Sequence, residues 1–300
     1  MSIPSNLSSG KYSVGLAVNC DETRGSLAFN AEIIEKKLGY NDKLLVSSEI
    51  FHLWVIEGNE TIKKELPFSE VGLNVVWTDD LTPYRTLKVR ILNGLHTTFT
   101  IPSIFTGNET VKQSMDDALI NKMIQTALYK EIVPTLDFTE SEIDKYASAV
   151  LERFRNPFIK HYLISITLNS ISKFKVRVLP SILKYFEKNG KLPIVTVFAL
   201  ASMIRFYLGK PDVDGNFICT FNGKQYPVKD EPSIIEYFSN RKITDEVSQN
   251  EFIKIILSDE KLWGTNLTKI KGMTDTIIKY LSMIEKNKYD VVLQEILEKK

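Results

Sequence analysis

The sequence predicts a mainly α protein with a small strand component, on three observations. Beyond residue 80, apolar residues recur at helical spacing, with cap and stop residues where helices would begin and end. Segments rich in β-branched and aromatic residues are confined to the region before residue 80 and to one late hairpin. None of the 14 glycines is separated from another by a single residue. There is therefore no Gly-x-Gly-x-x-Gly loop, no Walker loop and nothing suited to cradling a pyrophosphate at a helix N-terminus.

Residues 1–26 show no clear periodicity. "AEIIEKKLGY" (31–40) predicts a short amphipathic helix ended by Gly39. "EIFHLWVIEG" (49–58) and "GLNVVWTDD" (72–80) predict strands, with no full βαβ unit expected around them. Thr82 and Pro83 supply a cap and first-turn pair for a helix running through "TLKVRILNGLHTT" (86–98), and two helical stretches follow across 109–133. Thr139 and Glu142 form a capping box opening "SEIDKYASAVLERF", and Asn156-Pro157 opens the next helix, "PFIKHYLISITLNSIS". "SKFKVRVLP" (172–180) alternates cation with apolar residue and is expected to be extended up to Pro180. "SILKYFEKNG" stops at Gly190, and a core helix follows over 192–209. In "FICTFNGKQYPV" (217–228), Asn222-Gly223 supplies two residues that tolerate positive φ, a hairpin signal. Helices fill the rest, with Ser248 and Glu251 as a further capping box.

Three hundred residues are enough for one large domain or two smaller ones. With 43% hydrophobic residues, 25% charged and a net charge of +1, the composition is that of an ordinary globular protein. It argues against a nucleic-acid partner, which would require a basic face. Two distant cysteines, Cys20 and Cys219, and three isolated histidines, His52, His96 and His161, form no disulfide framework and no metal spacing. A reducing cytoplasm and no metal site are the expectation. The N-terminus lacks the features of a signal peptide. The most apolar segment, "LPIVTVFALASMIRFYLG" (192–209), is interrupted by Arg205 and short for a bilayer span, so no membrane partner is expected.

The stretch 86–98 places Lys88, Asn93 and His96 among leucines and isoleucines. At 3.6 residues per turn, Asn93 lies about 140° around the helix from Lys88, with His96 between them at about 80°, and the three span about 12 Å along the axis. A polar group in an apolar wall needs a partner. Two readings fit. In one, backbone neighbours satisfy Asn93 and His96 while Lys88 snorkels to solvent. In the other, the trio is a proton-transfer site: a desolvated lysine as acid or base, an amide donor and an orienting imidazole. Periodicity does not choose between them.

"KVRILNGLH" (88–96), preceded by "TDDLTPY" (78–84), resembles the polyol-specific long-chain dehydrogenase/reductase family, the mannitol dehydrogenase group. The likeness continues in "WVIEG" (54–58) and "RFRNPFIKHYLISITLNSISKFKVRVLPS" (153–181), where the details are most similar to the family's uronate branch. The resemblance implies a multi-helical C-terminal domain of the 6-phosphogluconate-dehydrogenase-like type. It also implies a metal-independent, NAD-dependent interconversion of a secondary alcohol and a ketone, here tagaturonate and altronate. It makes Lys88 the catalytic lysine, Asn93 the oxyanion-holding amide, His96 a substrate-binding histidine and Lys173 a further substrate contact. In mannitol-type members an arginine lies eight positions before that lysine; here the position is Ser165. A uronate carboxylate calls for a cation, and Lys173, Lys175 and Arg177 would share one face if extended.

The resemblance runs from about residue 31 to near the C-terminus. It implies that residues 1–79 are a truncated tail of a dinucleotide-binding domain, with 1–30 unmatched, and that 80–300 are the helical substrate domain. No cofactor-binding residue is identified, and a separate N-terminal cofactor domain is the expected partner besides a small sugar-acid substrate. The competing expectation is a catalytically silent helical module that keeps the family fold.

Overall fold

The computed structural model describes residues 19–21, 26–28, 31–42, 53–240 and 245–298. The chain divides into two compact units: residues up to Arg85 with Asn156–Ile159, and Thr86–Arg155 with Lys160–Lys300.

In the first unit, β1 (Asn19–Asp21) pairs antiparallel with β2 (Ser26–Ala28). The helix α1 (Ala31–Leu38) stops at Gly39, whose φ of +79° suits a residue without Cβ. Strands β3 (Trp54–Glu57) and β4 (Val75–Thr78) pair in parallel, Trp54 opposite Val75. The crossover carries α2 (Glu60–Glu65) and a 3₁₀ turn (Phe68–Val71). A small βαβ unit thus exists, contrary to the sequence expectation. Its signal was legible: Trp54–Ile56 and Val75–Trp77 are apolar at consecutive positions, the pattern of parallel strands covered on both faces. Residues 49–52 of the first expected strand lie outside the described residues.

Helix α3 (Thr82–Leu87) begins with the Thr82 N–H donating to Asp80 Oδ1 at 2.8 Å, so Asp80 supplies the cap expected of Thr82. A π-helical turn, Lys88–Asn93, leads into α4 (Gly94–Phe105). Next come α5 (Val111–Asp116), α6 (Ala118–Thr126) and a second π turn, Ala127–Ile132. The expected capping box of Thr139 and Glu142 opens α7 (Glu140–Phe154).

The long helix expected from Pro157 does not form. Backbone groups there pair across to residues 109–111 instead: Val111 N–H donates to His161 O (3.0 Å) and Leu163 N–H to Glu109 O (2.9 Å). Only α8 (Leu163–Ile166) is helical before α9 (Ser170–Arg177). The helical α9 corrects the expectation of an extended segment. Its buried residues, Ser170, Ile171 and Phe174, recur at helical spacing, and that burial outweighs the period-2 alternation of cations.

Helix α10 (Leu179–Asn189) stops at Gly190 (φ +65°), and α11 (Ile194–Tyr207) is buried almost all round, as the core of the second unit. At its N-terminus the buried Glu131, from the second π turn, accepts hydrogen bonds from Val195 N–H (2.7 Å), Thr196 N–H (2.8 Å) and Thr196 Oγ1 (2.9 Å). Strands β5 (Lys210–Pro211), β6 (Phe217–Phe221) and β7 (Lys224–Pro227) form an antiparallel sheet in that order, turned at Asn222-Gly223 as expected. The chain continues through α12 (Pro232–Ser239), α13 (Glu246–Ser258), α14 (Glu260–Trp263), α15 (Met273–Lys286) and α16 (Tyr289–Glu298). The capping box of α13 is Asp245 with Ser248, one turn earlier than the expected Ser248 with Glu251. No helix among the described residues is long and apolar enough to cross a membrane.

Candidate active site

The π turn changes the geometry of the trio. Its hydrogen bonds run from i to i+5, so residues five apart share one face, as residues four apart do in an α-helix. Lys88 and Asn93, its first and last residues, are such a pair. At the 3.6 residues per turn of an α-helix they would stand about 140° apart. His96 follows one turn later in α4. Lys88 is exposed and forms no ion pair among the described residues, which corrects the expectation of a desolvated lysine. Asn93 is half-buried, and its carbonyl accepts from Thr97 Oγ1 at 2.9 Å.

His96 is the most constrained of the three. Its ring stacks on Phe154 at 4.3 Å and meets His161 edge-on at 5.2 Å. Its Nε2 is buried and has no hydrogen-bond partner. Burial, with the charges of His161, Arg177 and Arg153, holds the imidazole's pKa down to about 3, so the ring is neutral at physiological pH. A folded pKa below the ordinary value near 6.5 means that the unfolded chain takes up a proton that the fold refuses. Stability is therefore lost as pH falls from about 6.5 toward about 3, by about 2 kcal/mol at pH 5. Urea unfolding at pH 7 and pH 5 should show a drop of that order in the wild type beyond the drop in His96→Gln. Equal drops would refute it.

Helix α9 approaches the trio through Gly94. A Cβ there would lie 3.2 Å from Arg177 O, so glycine permits the contact. Arg177 in turn donates from Nη1 to Thr97 Oγ1 at 3.5 Å. Lys173, four residues earlier on the same face, is half-buried and donates from Nζ to Ile166 O at 3.0 Å. Burial lowers its pKa, with Arg177 acting in the same direction and Asp230 opposing. Lys175 leaves the group: on a helix it faces elsewhere, and its Nζ donates to Lys261 O at 3.2 Å. Its expected substrate role is therefore withdrawn. Ser165 is exposed, its hydroxyl donating to Tyr162 O at 2.7 Å.

Sequence reasoning missed Phe154, His161, Arg153 and Thr97, all around His96. In the sequence one helical stretch ends at Phe154 and the next is expected from Pro157, and no periodic signal assigns Phe154 or His161 to His96.

The βα turn of the small βαβ unit does not fit a dinucleotide phosphate. A Cβ on Gly58 would meet the Trp77 ring at 3.1 Å, so the space that glycine opens is already filled. The first N–H groups of α2, of Thr61 and Ile62, both donate to Asn59 Oδ1 at 3.1 Å. That closes the place a phosphate would take.

The chain belongs to the mannitol dehydrogenase C-terminal domain family, whose model matches residues 80–285. It is 39% identical over 256 residues to an altronate oxidoreductase of Pectobacterium carotovorum, covering 84% of this chain and 51% of that protein. Against an Escherichia coli altronate oxidoreductase it is 38% identical over 254 residues, covering 84% and 50%. The chain thus spans about half the length of the curated relatives it matches. Among solved structures, Pseudomonas fluorescens mannitol 2-dehydrogenase, in ternary complex with NAD and D-mannitol, aligns with a TM-score of 0.70 at 22% identity. That alignment covers 90% of this chain and 51% of that one. A D-sorbitol dehydrogenase aligns at 0.64 and 20% identity, covering 88% and 50%. The fold of this chain is thus shared with about half of each of those two proteins.

Proposed function

We propose that this chain forms the substrate-binding and proton-transferring half of an NAD-dependent oxidoreductase interconverting tagaturonate and altronate, with NAD held by a separate dinucleotide-binding domain. The observation that carries this reading is the π turn that brings Lys88 and Asn93 onto one face, one helical turn before a buried, unpartnered His96 Nε2. In ketone reduction negative charge grows on the carbonyl oxygen. Asn93 donates its amide N–H to that oxygen and Lys88 Nζ gives it a proton. A substrate hydroxyl would satisfy His96 Nε2 as a donor to the neutral ring. The cations Lys173 and Arg177 suit the uronate carboxylate. The hydride chemistry belongs to the cofactor and the domain that carries it.

The first unit supports the missing domain. None of its described side chains is buried, and Trp54, Ile62, Leu66, Val71 and Leu73 are exposed. A two-stranded parallel pair with apolar residues on both faces is a fragment of a sheet made to be covered. Residues 1–79 are on this reading the tail of the cofactor domain and 80–300 the substrate domain, working in the cytoplasm on a small sugar acid. The filled turn at Gly58 and Asn59 also favours a second reading, an inactive helical module.

The test has two arms. The chain alone is expected to bind NADH weakly or not at all by calorimetry. With a relative's cofactor domain supplied, tagaturonate should turn over faster than fructuronate and fructose. Micromolar NADH binding by the chain alone would refute the first expectation, and faster turnover of fructose the second. No turnover of any substrate would favour the inactive module.

A further inference from the structure

We propose that Tyr207 and Asp230 form a latch that positions Lys173 and Arg177 for the substrate carboxylate, by fixing the start of α9 from outside the helix. The functional part of this inference rests on the reading of the site given above. Helix α9 has no side-chain cap of its own, and Asn169 before it stands at φ +55°, in the left-handed region. Its first N–H groups are taken by other elements. Ser170 N–H donates to Tyr207 Oη at 3.2 Å, Ile171 N–H points at Asp230 Oδ2 at 3.5 Å, and Asn169 N–H donates to Lys229 O at 3.0 Å. The Tyr207 hydroxyl donates in turn to Asp230 Oδ2. A carboxylate at a helix N-terminus is also favoured by the helix dipole.

The tyrosine is well placed to hold this geometry. It is fully buried at the end of α11, the core helix, with its ring against Phe238 (5.0 Å) and Phe206 (6.2 Å). Burial, reinforced by the Asp230 charge, pushes its pKa far above the ordinary value, so the hydroxyl stays a donor. Lys173 lies one turn along α9, and its N–H donates to Asn169 O at 3.2 Å. Its amine therefore moves with the anchored end, and it feels Asp230 as an attraction and Arg177 as a repulsion. The chain thus sets its substrate-facing cations by a hydrogen-bonded link to its core, through two residues that need not touch the substrate.

Lysine side chains labelled with ¹³C and ¹⁵N allow the Lys173 amine to be titrated by NMR in the full chain, with its signal assigned by Lys173→Gln. Asp230→Asn should lower the Lys173 midpoint, since an attractive charge is lost, and Asp230→Glu should restore it. Tyr207→Phe keeps the ring and the charge but removes the hydroxyl, and should displace the Lys173 signal. Altronate binding, followed by calorimetry on the same proteins, should weaken about tenfold in Asp230→Asn and Tyr207→Phe. If Asp230→Asn does not fold by circular dichroism, Tyr207→Phe carries the test. An unmoved Lys173 signal in every folded variant overturns the latch. If the wild-type chain binds no altronate, the substrate reading fails while the Lys173 titration still decides the latch.

Discussion

Lys88→Ala, assayed with a cofactor domain supplied, is expected to lower kcat by about 10²–10⁴-fold, the usual range for losing a positioned general acid–base. Lys88 opens the π turn, shares its face with Asn93, and forms no ion pair among the described residues that would hold its ammonium elsewhere. Lys88→Arg should not rescue the rate, because a guanidinium stays protonated and cannot cycle a proton near neutral pH. The loss should fall on kcat more than on KM, since the proton moves in the transition state. Added primary amines should restore part of the rate in the alanine variant only. Near-normal kcat in both variants, with folding confirmed by circular dichroism, would return the trio to a set of polar residues with local partners.

Glu131→Ala is expected to produce the largest loss of stability among single changes at polar residues, about 2–4 kcal/mol by urea unfolding at pH 7. The N-terminus of α11 has no side-chain cap of its own, since Pro193 stands at the cap position. Its donors at Val195 and Thr196 all turn to Glu131, which is 4% exposed. Alanine leaves those donors buried without an acceptor. Glu131→Gln keeps the shape and one oxygen, so its cost should be smaller. The pH dependence has a definite sign. Burial raises the Glu131 pKa, against the opposing effect of the Val195 and Thr196 hydrogen bonds. A carboxyl whose folded pKa lies above its unfolded value holds a proton in the fold that the unfolded chain has released. The wild type should therefore lose ground relative to Glu131→Gln as pH rises from the ordinary carboxylate value through the raised one. A stability gap constant over pH 4–7 would show that the carboxyl is not raised.

Much of this was legible locally. Thr139 with Glu142, Gly39, Gly190 and Asn222-Gly223 act where the sequence places them, because caps and turns depend on residues within one turn of each other. The trio was visible as polar residues in an apolar run, and Lys173 with Arg177 as cations beside a recognisable motif. Misplaced elements failed where local preference met a distant competitor. "SKFKVRVLP" alternates like a strand, yet Ile171 and Phe174 gain more by burying one helical face. "PFIKHYLISITLNSIS" has helical spacing, but its backbone at residues 161–163 pairs with residues 109–111.

The chain by itself therefore determined which residues would be helical over most of its length, where those helices stop, and which polar side chains interrupt apolar runs. Tertiary structure decided their register and their company. Whether Lys88–Asn93 closes its hydrogen bonds at i+4 or i+5 is a small local difference that periodicity does not reveal, yet it brings Lys88 and Asn93 onto one face. The neutrality of His96 comes from Phe154, His161 and the surrounding cations, and Lys175 leaves the site because a helix turns it toward Lys261. The latch on α9 joins Tyr207 to Asp230, from a helix end and a loop far apart in sequence. The physical reason is common to all four. Caps, turns and periodicity are fixed by neighbours along the chain, whereas burial, desolvation and long-range hydrogen bonds exist only once distant segments have been brought together.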